Sequence, residues 1–151
     1  MLVLLASSPG QTEARSERAL PLQLSLSTDQ AAYLPGQPVR LTLTLTNPGN
    51  IDITLSFRSS QQTDFVIRRD KQEIWRWSDG RMFAQVLTQM KLGPNERRAF
   101  HAIWDQKDRE VRQVPVGSYE AVGLLLAGAG RDRAITSFKI VAPTGSDHAP
   151  V

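Results

Sequence analysis

Val39-Arg-Leu-Thr-Leu-Thr-Leu-Thr46 sets Val39, Leu41, Leu43 and Leu45 against Arg40, Thr42, Thr44 and Thr46, the cleanest period-two alternation in the chain. Successive side chains of an extended strand point to opposite faces, so this stretch predicts a strand with one buried and one wet face. Tyr33-Leu-Pro-Gly-Gln-Pro38 precedes it, with Pro35-Gly36 as a favourable turn pair. Further upstream, Leu22, Leu24 and Leu26 alternate with Gln23, Ser25 and Ser27, a second half-buried strand. Downstream, Asn47-Pro-Gly-Asn50 closes the strand, and Ile51, Ile53, Leu55 and Phe57 make the next inward row. Two such rows across a four-residue turn are expected to pair as a hairpin.

The same pattern continues to the end of the chain. Shorter strands are expected near 64–69, 73–77 and 84–92. Gly93-Pro-Asn95 then turns the chain into Arg98, Phe100, Ala102 and Trp104 on one face. A charged loop from Asp105 to Gln113 leads through Pro115 and Gly117 to a strand from Ser118 to Leu126. Gly128-Ala-Gly130 is the last turn, before Phe138 and Ile140 on the final strand. About nine short strands separated by turns, without helical periodicity, predict an all-β sandwich or barrel.

The chain has 151 residues, the usual size of one domain, with 40% hydrophobic and 22% charged residues. Residues 1–20 read as a flexible leader or signal-peptide remnant, residues 21–142 as the domain and residues 143–151 as a loose tail. Met1-Leu-Val-Leu-Leu-Ala6 followed by Ser7, Ser8 and Pro9 resembles the end of a signal peptide, though it lacks a basic start. Export to the periplasm or exterior is the expectation, with a cytoplasmic location as the alternative. The apolar stretch is far too short to span a bilayer.

Composition also excludes several chemistries. Without cysteine there is no disulfide, thiolate nucleophile or cysteine zinc site. His101 and His148 are the only histidines, which rules out a histidine-rich metal site. The net charge of +3 comes from arginines spread along the chain, at Arg15 and Arg18, Arg68 and Arg69, Arg97 and Arg98, and Arg131 and Arg133. A nucleic-acid binder gathers such charge on one face, so no nucleic-acid partner is expected. Asp105, Asp108 and Glu110 are the carboxylates with calcium-like spacing. Lys107 and Arg109 between them oppose a cation, and no cofactor or metal is expected.

One segment does not explain itself as scaffold: Ile74-Trp-Arg-Trp-Ser-Asp-Gly-Arg-Met-Phe-Ala-Gln85. Trp75 and Trp77 share one face of a strand, and Ser78-Asp79-Gly80 is a turn signal placing Arg81, Met82 and Phe83 on an irregular loop. The scaffold reading makes at least one of the two tryptophans the buried tryptophan of the core, with Met82 and Phe83 capping its open end. The functional reading makes the loop an apolar anchor for a partner, where Trp, Met, Phe and Arg are enriched.

Asp64-Phe65, Ile74-Trp-Arg-Trp-Ser78, Met82-Phe83-Ala-Gln85, the Leu92-Gly-Pro-Asn-Glu96 turn, Trp104 and Gly117-Ser-Tyr119 occur in an order that resembles the intracellular proteinase inhibitor (BsuPI-type) domain, over about residues 35 to 127. The resemblance implies an immunoglobulin-like antiparallel β-sandwich. It also implies inhibition of a bacterial serine protease of the subtilisin-like kind.

Two function classes follow, and a third is weak. As an inhibitor, the chain would offer the loop to a protease cleft as a substrate would. Met82 or Phe83 would suit a broad apolar pocket and Arg81 a trypsin-like one. Bracing would come from Trp75 and Trp77 beneath the loop, since no disulfide is possible. The alternative is a non-inhibitory envelope or surface immunoglobulin-like binding module, with the Asp105–Val116 loop as a second contact. No G-x-S-x-G, H-E-x-x-H or P-loop occurs, so the chain is not expected to be an enzyme.

Overall fold

The computed structural model describes residues 21–128 and 132–144. The expected leader, the end of the tail and most of the Gly128–Gly130 turn lie outside the described residues.

Ten strands are formed there: β1 (Gln23–Thr28), β2 (Ala32–Tyr33), β3 (Val39–Thr46), β4 (Ile53–Phe57), β5 (Thr63–Arg69), β6 (Gln72–Arg76), β7 (Thr88–Leu92), β8 (Arg97–Trp104), β9 (Gly117–Leu125) and β10 (Asp132–Ile140). One sheet has the order β1-β3-β8 and the other β2-β10-β9-β5-β6, while β4 and β7 form a two-stranded ribbon. Pairing is antiparallel except between β2 and β10, where Ala32 and Tyr33 run parallel to Lys139 and Ile140. The Val141 amide donates to the Tyr33 carbonyl at 2.8 Å and extends that pairing.

β3 follows its alternation: Val39, Leu41, Leu43 and Leu45 are buried while the intervening residues are not. The two sheets meet closely. A Cβ on Gly123 of β9 would lie 2.9 Å from Leu43 Cδ1 and 3.3 Å from Leu26 Cδ1. Leu34–Gln37 is a β-turn closed by the Gln37 amide on the Leu34 carbonyl, with Gly36 at φ +87° in the position that favours glycine.

The expected hairpin between 39–45 and 51–57 does not form. β3 pairs with β1 and β8, whereas β4 pairs with β7. Asn47 redirects the chain. It is buried, and its amide donates to the carbonyls of Ile51, Leu92 and Gly93 while its oxygen accepts the Gly49 amide. Its own backbone amide bonds to the Glu96 carbonyl. Of those carbonyls only Ile51 belongs to the expected hairpin, and both edges of β3 are already taken by β1 and β8. Ile51, expected to face inward, is 73% exposed.

Tyr119, near the start of β9, donates its hydroxyl back to the Pro115 carbonyl, the tyrosine corner found in immunoglobulin-like sandwiches. The tryptophan of the core is Trp104, fully buried against Tyr119 and Phe138 with ring centroids 5.9 and 6.2 Å away. This corrects the expectation that Trp75 or Trp77 fills that place. Both lie on or just beyond the edge strand β6, where one flank stays open, and both are half-buried.

Candidate functional site

The candidate loop leaves β6 through two successive turns. The Trp77 amide donates to the Phe65 carbonyl and continues the β5–β6 pairing by one step. The Asp79 amide then bonds to the Arg76 carbonyl at 3.1 Å and the Arg81 amide to the Ser78 carbonyl at 3.0 Å. Gly80 takes φ +78°, a conformation that an L side chain strains to adopt.

Asp64 on β5 holds the first turn from inside. It is 3% exposed, and a buried carboxylate needs its full set of partners. Oδ1 accepts the Ser78 and Phe65 amides at 3.1 and 2.9 Å. Oδ2 accepts the Ser78 hydroxyl at 2.6 Å and the Arg76 guanidinium at 3.0 Å. Arg76 also forks onto Glu73, with both bonds at 2.9 Å. Those hydrogen bonds hold the Glu73 carboxyl below its ordinary value, and Glu73 in turn pushes Arg76 upward.

Arg109 joins this network from the charged loop. It bonds to Asp79 at 3.1 Å and also to Glu73. Asp79 is the larger cause of the upward shift at Arg109. The two stretches singled out as partner contacts, Ser78–Phe83 and Asp105–Val116, therefore meet. A surface groove between them is lined by Trp75, Trp77, Asp79, Ile103, Asp108 and Arg109, among others.

Trp77 is the platform of the loop. The Arg81 guanidinium lies 4.1 Å over its ring, and Arg81 Nε donates to the Trp77 carbonyl at 2.9 Å. Phe83 packs on the same ring system at 5.9 Å, and Phe65 meets it edge-on at 6.5 Å. Trp75 does something else: it packs on Trp104 at 6.2 Å. The bracing thus comes from Trp77 and the ion network rather than from two tryptophans.

Between Arg81 and Phe83, Met82 is 96% exposed. The chain beyond is pinned at Ala84, whose carbonyl and amide bond to the Ser60 amide and hydroxyl, both at 2.9 Å. Val86 and Leu87 then stand exposed, Leu87 at 82%.

The other candidates are occupied in different ways. His101 Nδ1 shares a hydrogen bond with the Thr42 hydroxyl on an exposed face. Asp105 accepts the Lys107 amide, Asp108 accepts the Glu110 and Arg112 amides, and Glu110 pairs with Arg112. Among the described residues, no group of three or more His, Asp or Glu could hold a metal ion. Arg68, Arg76, Arg98, Arg109 and Arg112 are each paired with a carboxylate. Among the described residues, no helix is long and apolar enough to cross a membrane.

Asp64, Glu73, Arg76 and Ser60 are not among the site residues expected from the sequence, and Arg109 is expected only as part of the Asp105–Val116 loop. Asp64 carries a usable signal, because an acid inside Thr63-Asp-Phe-Val-Ile67 is rarely buried without a partner.

A family model described as BsuPI, intracellular proteinase inhibitor, matches residues 26–130, more than half of the chain. No curated protein matches the sequence. Solved structures are similar at low identity. A Pseudomonas fluorescens alkylpurine DNA glycosylase is 14% identical at a TM-score of 0.49, with 80% of this chain and 30% of that one covered. A cycloisomaltooligosaccharide glucanotransferase from a Paenibacillus species is 16% identical at 0.48, with 77% and 13% covered. A CARDB domain from Pyrococcus furiosus is 12% identical at 0.45, with 81% and 94% covered. This chain thus spans less than a third of either enzyme, and the assignment of the sandwich rests on its own strand pairing.

Proposed function

The chain belongs to the intracellular proteinase inhibitor family, and we propose that it inhibits a subtilisin-like bacterial serine protease by presenting the Ser78–Phe83 loop to the active-site cleft. The family is one of inhibitors, so the chain acts by binding a protease rather than by catalysis.

The observation that carries the loop assignment is an exposed Met82 just beyond turns held by Asp64, Arg109 and Trp77 without a disulfide. Inhibitors gain affinity when the bound shape of the loop exists before binding, because less conformational freedom is lost on association. Here Asp64 fixes Ser78, Arg109 fixes Asp79, and Trp77 supports both Arg81 and Phe83. A standard-size interface around such a loop suffices for tight binding.

The test is inhibition of a subtilisin-like protease by wild type and by the double variant Met82→Ala/Phe83→Ala. Wild type is expected to inhibit and the double variant to lose most of its potency. No inhibition by wild type would overturn the activity, and no effect of the double variant would remove this loop as the contact.

A further inference from the structure

We infer that Met82 is the one side chain of the loop that enters the partner's primary pocket, and that the contact continues along the chain to Val86 and Leu87. This rests on the inhibitory reading above and narrows it to a partner whose pocket takes a large, uncharged apolar side chain.

Met82 is the side chain of the loop left available to a partner. Ser78 is tied to Asp64 and Asp79 to Arg109. Gly80 has no side chain. Arg81 is held over the Trp77 ring by a cation–π contact of 4.1 Å and by its bond to the Trp77 carbonyl. Inserting it into an acidic pocket would break both contacts. Phe83 is half-buried on Trp77, so its insertion would uncover the platform of the loop. Met82 alone is almost wholly in solvent and loses nothing within the chain when it is buried in a partner.

The backbone agrees. Among the described residues, the Met82 amide and carbonyl have no hydrogen-bond partner, and a substrate-like segment offers its partner such groups. Ala84 is different, because Ser60 takes both of its backbone groups and so fixes the chain that follows. Val86 and Leu87 are large apolar side chains facing solvent a few residues further on. Asp79 and Arg76 are paired within the chain, and Arg81, next to Met82, is held on Trp77, so the side chain offered outward is the uncharged Met82.

The experiment measures inhibition constants of the whole chain against one protease with an apolar primary pocket and one with an acidic, trypsin-like pocket. Tryptophan fluorescence confirms that each variant is folded. Met82→Ala is expected to weaken inhibition of the first protease by about 30-fold or more, as for a central anchor. Met82→Leu should retain most of it. Met82→Lys should lose the first protease and gain the second, a change that misfolding cannot mimic. Val86→Asp/Leu87→Asp should weaken binding by roughly tenfold, the effect of losing a peripheral contact. If wild type inhibits but Met82→Ala and Met82→Lys do not differ from it, the inference falls while the family activity stands. Inhibition of the trypsin-like protease by wild type, abolished by Arg81→Ala, would also overturn it. A wild type that inhibits neither protease overturns the inhibitory reading itself.

Discussion

The Asp64 carboxylate, buried within β5, accepts the Ser78 hydroxyl at 2.6 Å, so a strand of the five-stranded sheet fixes the first residue of the candidate loop. The same carboxylate neutralises Arg76, and the loop is in effect an outgrowth of the sheet.

Removing that anchor should destabilise both sheet edge and loop. Asp64→Ala deprives Arg76 of a charge partner and Ser78 of its acceptor. Stability should fall by about 2–3 kcal/mol, the cost of leaving buried polar groups unsatisfied. For a domain of this size that is a drop in Tm of roughly 5–10 °C. Thermal unfolding followed by circular dichroism checks it.

Gly80 offers a milder perturbation. A Cβ there would meet nothing within 4 Å, so an alanine brings no clash and only the strain of φ +78°. Gly80→Ala should cost about 1–2 kcal/mol locally. Inhibition should weaken by roughly 5- to 30-fold on that account, measured beside a Tm that moves only a few degrees.

Acid should loosen the loop through Glu73. Its folded pKa lies below the unfolded value of 4.5, because Arg76 and Arg109 favour the ionised form. The stabilisation is therefore fully present above that value and is lost as pH falls through the folded pKa. Asp29, Glu96 and Asp108 are shifted in the same direction, so the diagnostic quantity is a difference. Between wild type and Glu73→Gln, the gap in Tm should be largest at neutral pH and close as pH falls from 4.5 through the lower folded pKa of Glu73.

Asn47 should prove as important to the fold as a core residue. Asn47→Ala strips hydrogen bonds from the Ile51, Leu92 and Gly93 carbonyls, which hold the β3–β4 connection against the start of the next turn. The urea midpoint should fall by the equivalent of about 2–3 kcal/mol, with an unchanged slope if both end states keep their compactness.

Much of the scaffold is local information. Val39–Thr46 shows its buried face by alternation, and Pro35-Gly36 shows its turn by the backbone preferences of two residues. Alternation says which way side chains face but not which strand lies alongside. The hairpin expected after β3 does not form for that reason: β1 and β8 take both edges of β3, and β4 pairs with β7 instead.

The site divides in the same way. Ser78-Asp79-Gly80 announced a turn, and Met82 beyond it stands in solvent rather than capping the core. Trp75 and Trp77 look equivalent in sequence, yet one supports the core through Trp104 and the other supports the loop through Arg81 and Phe83. Arg109, thirty residues from Asp79, could not be placed beside it by any local rule. Only the fold brings the two together.

The parallel pairing of β2 with the end of β10 also settles how the molecule can be held. In the five-stranded sheet, Ile140 lies opposite Gly117, whereas Asp64 lies opposite Leu124 near the other end of β9. The chain leaves the sheet at Val141, clamped to Tyr33, at the end away from the Asp64–Ser78 anchor. A tether attached beyond Val141 would hold the domain at the end of the sheet away from that anchor. For immobilised binding measurements, that makes the C-terminal side the end to fix to the surface.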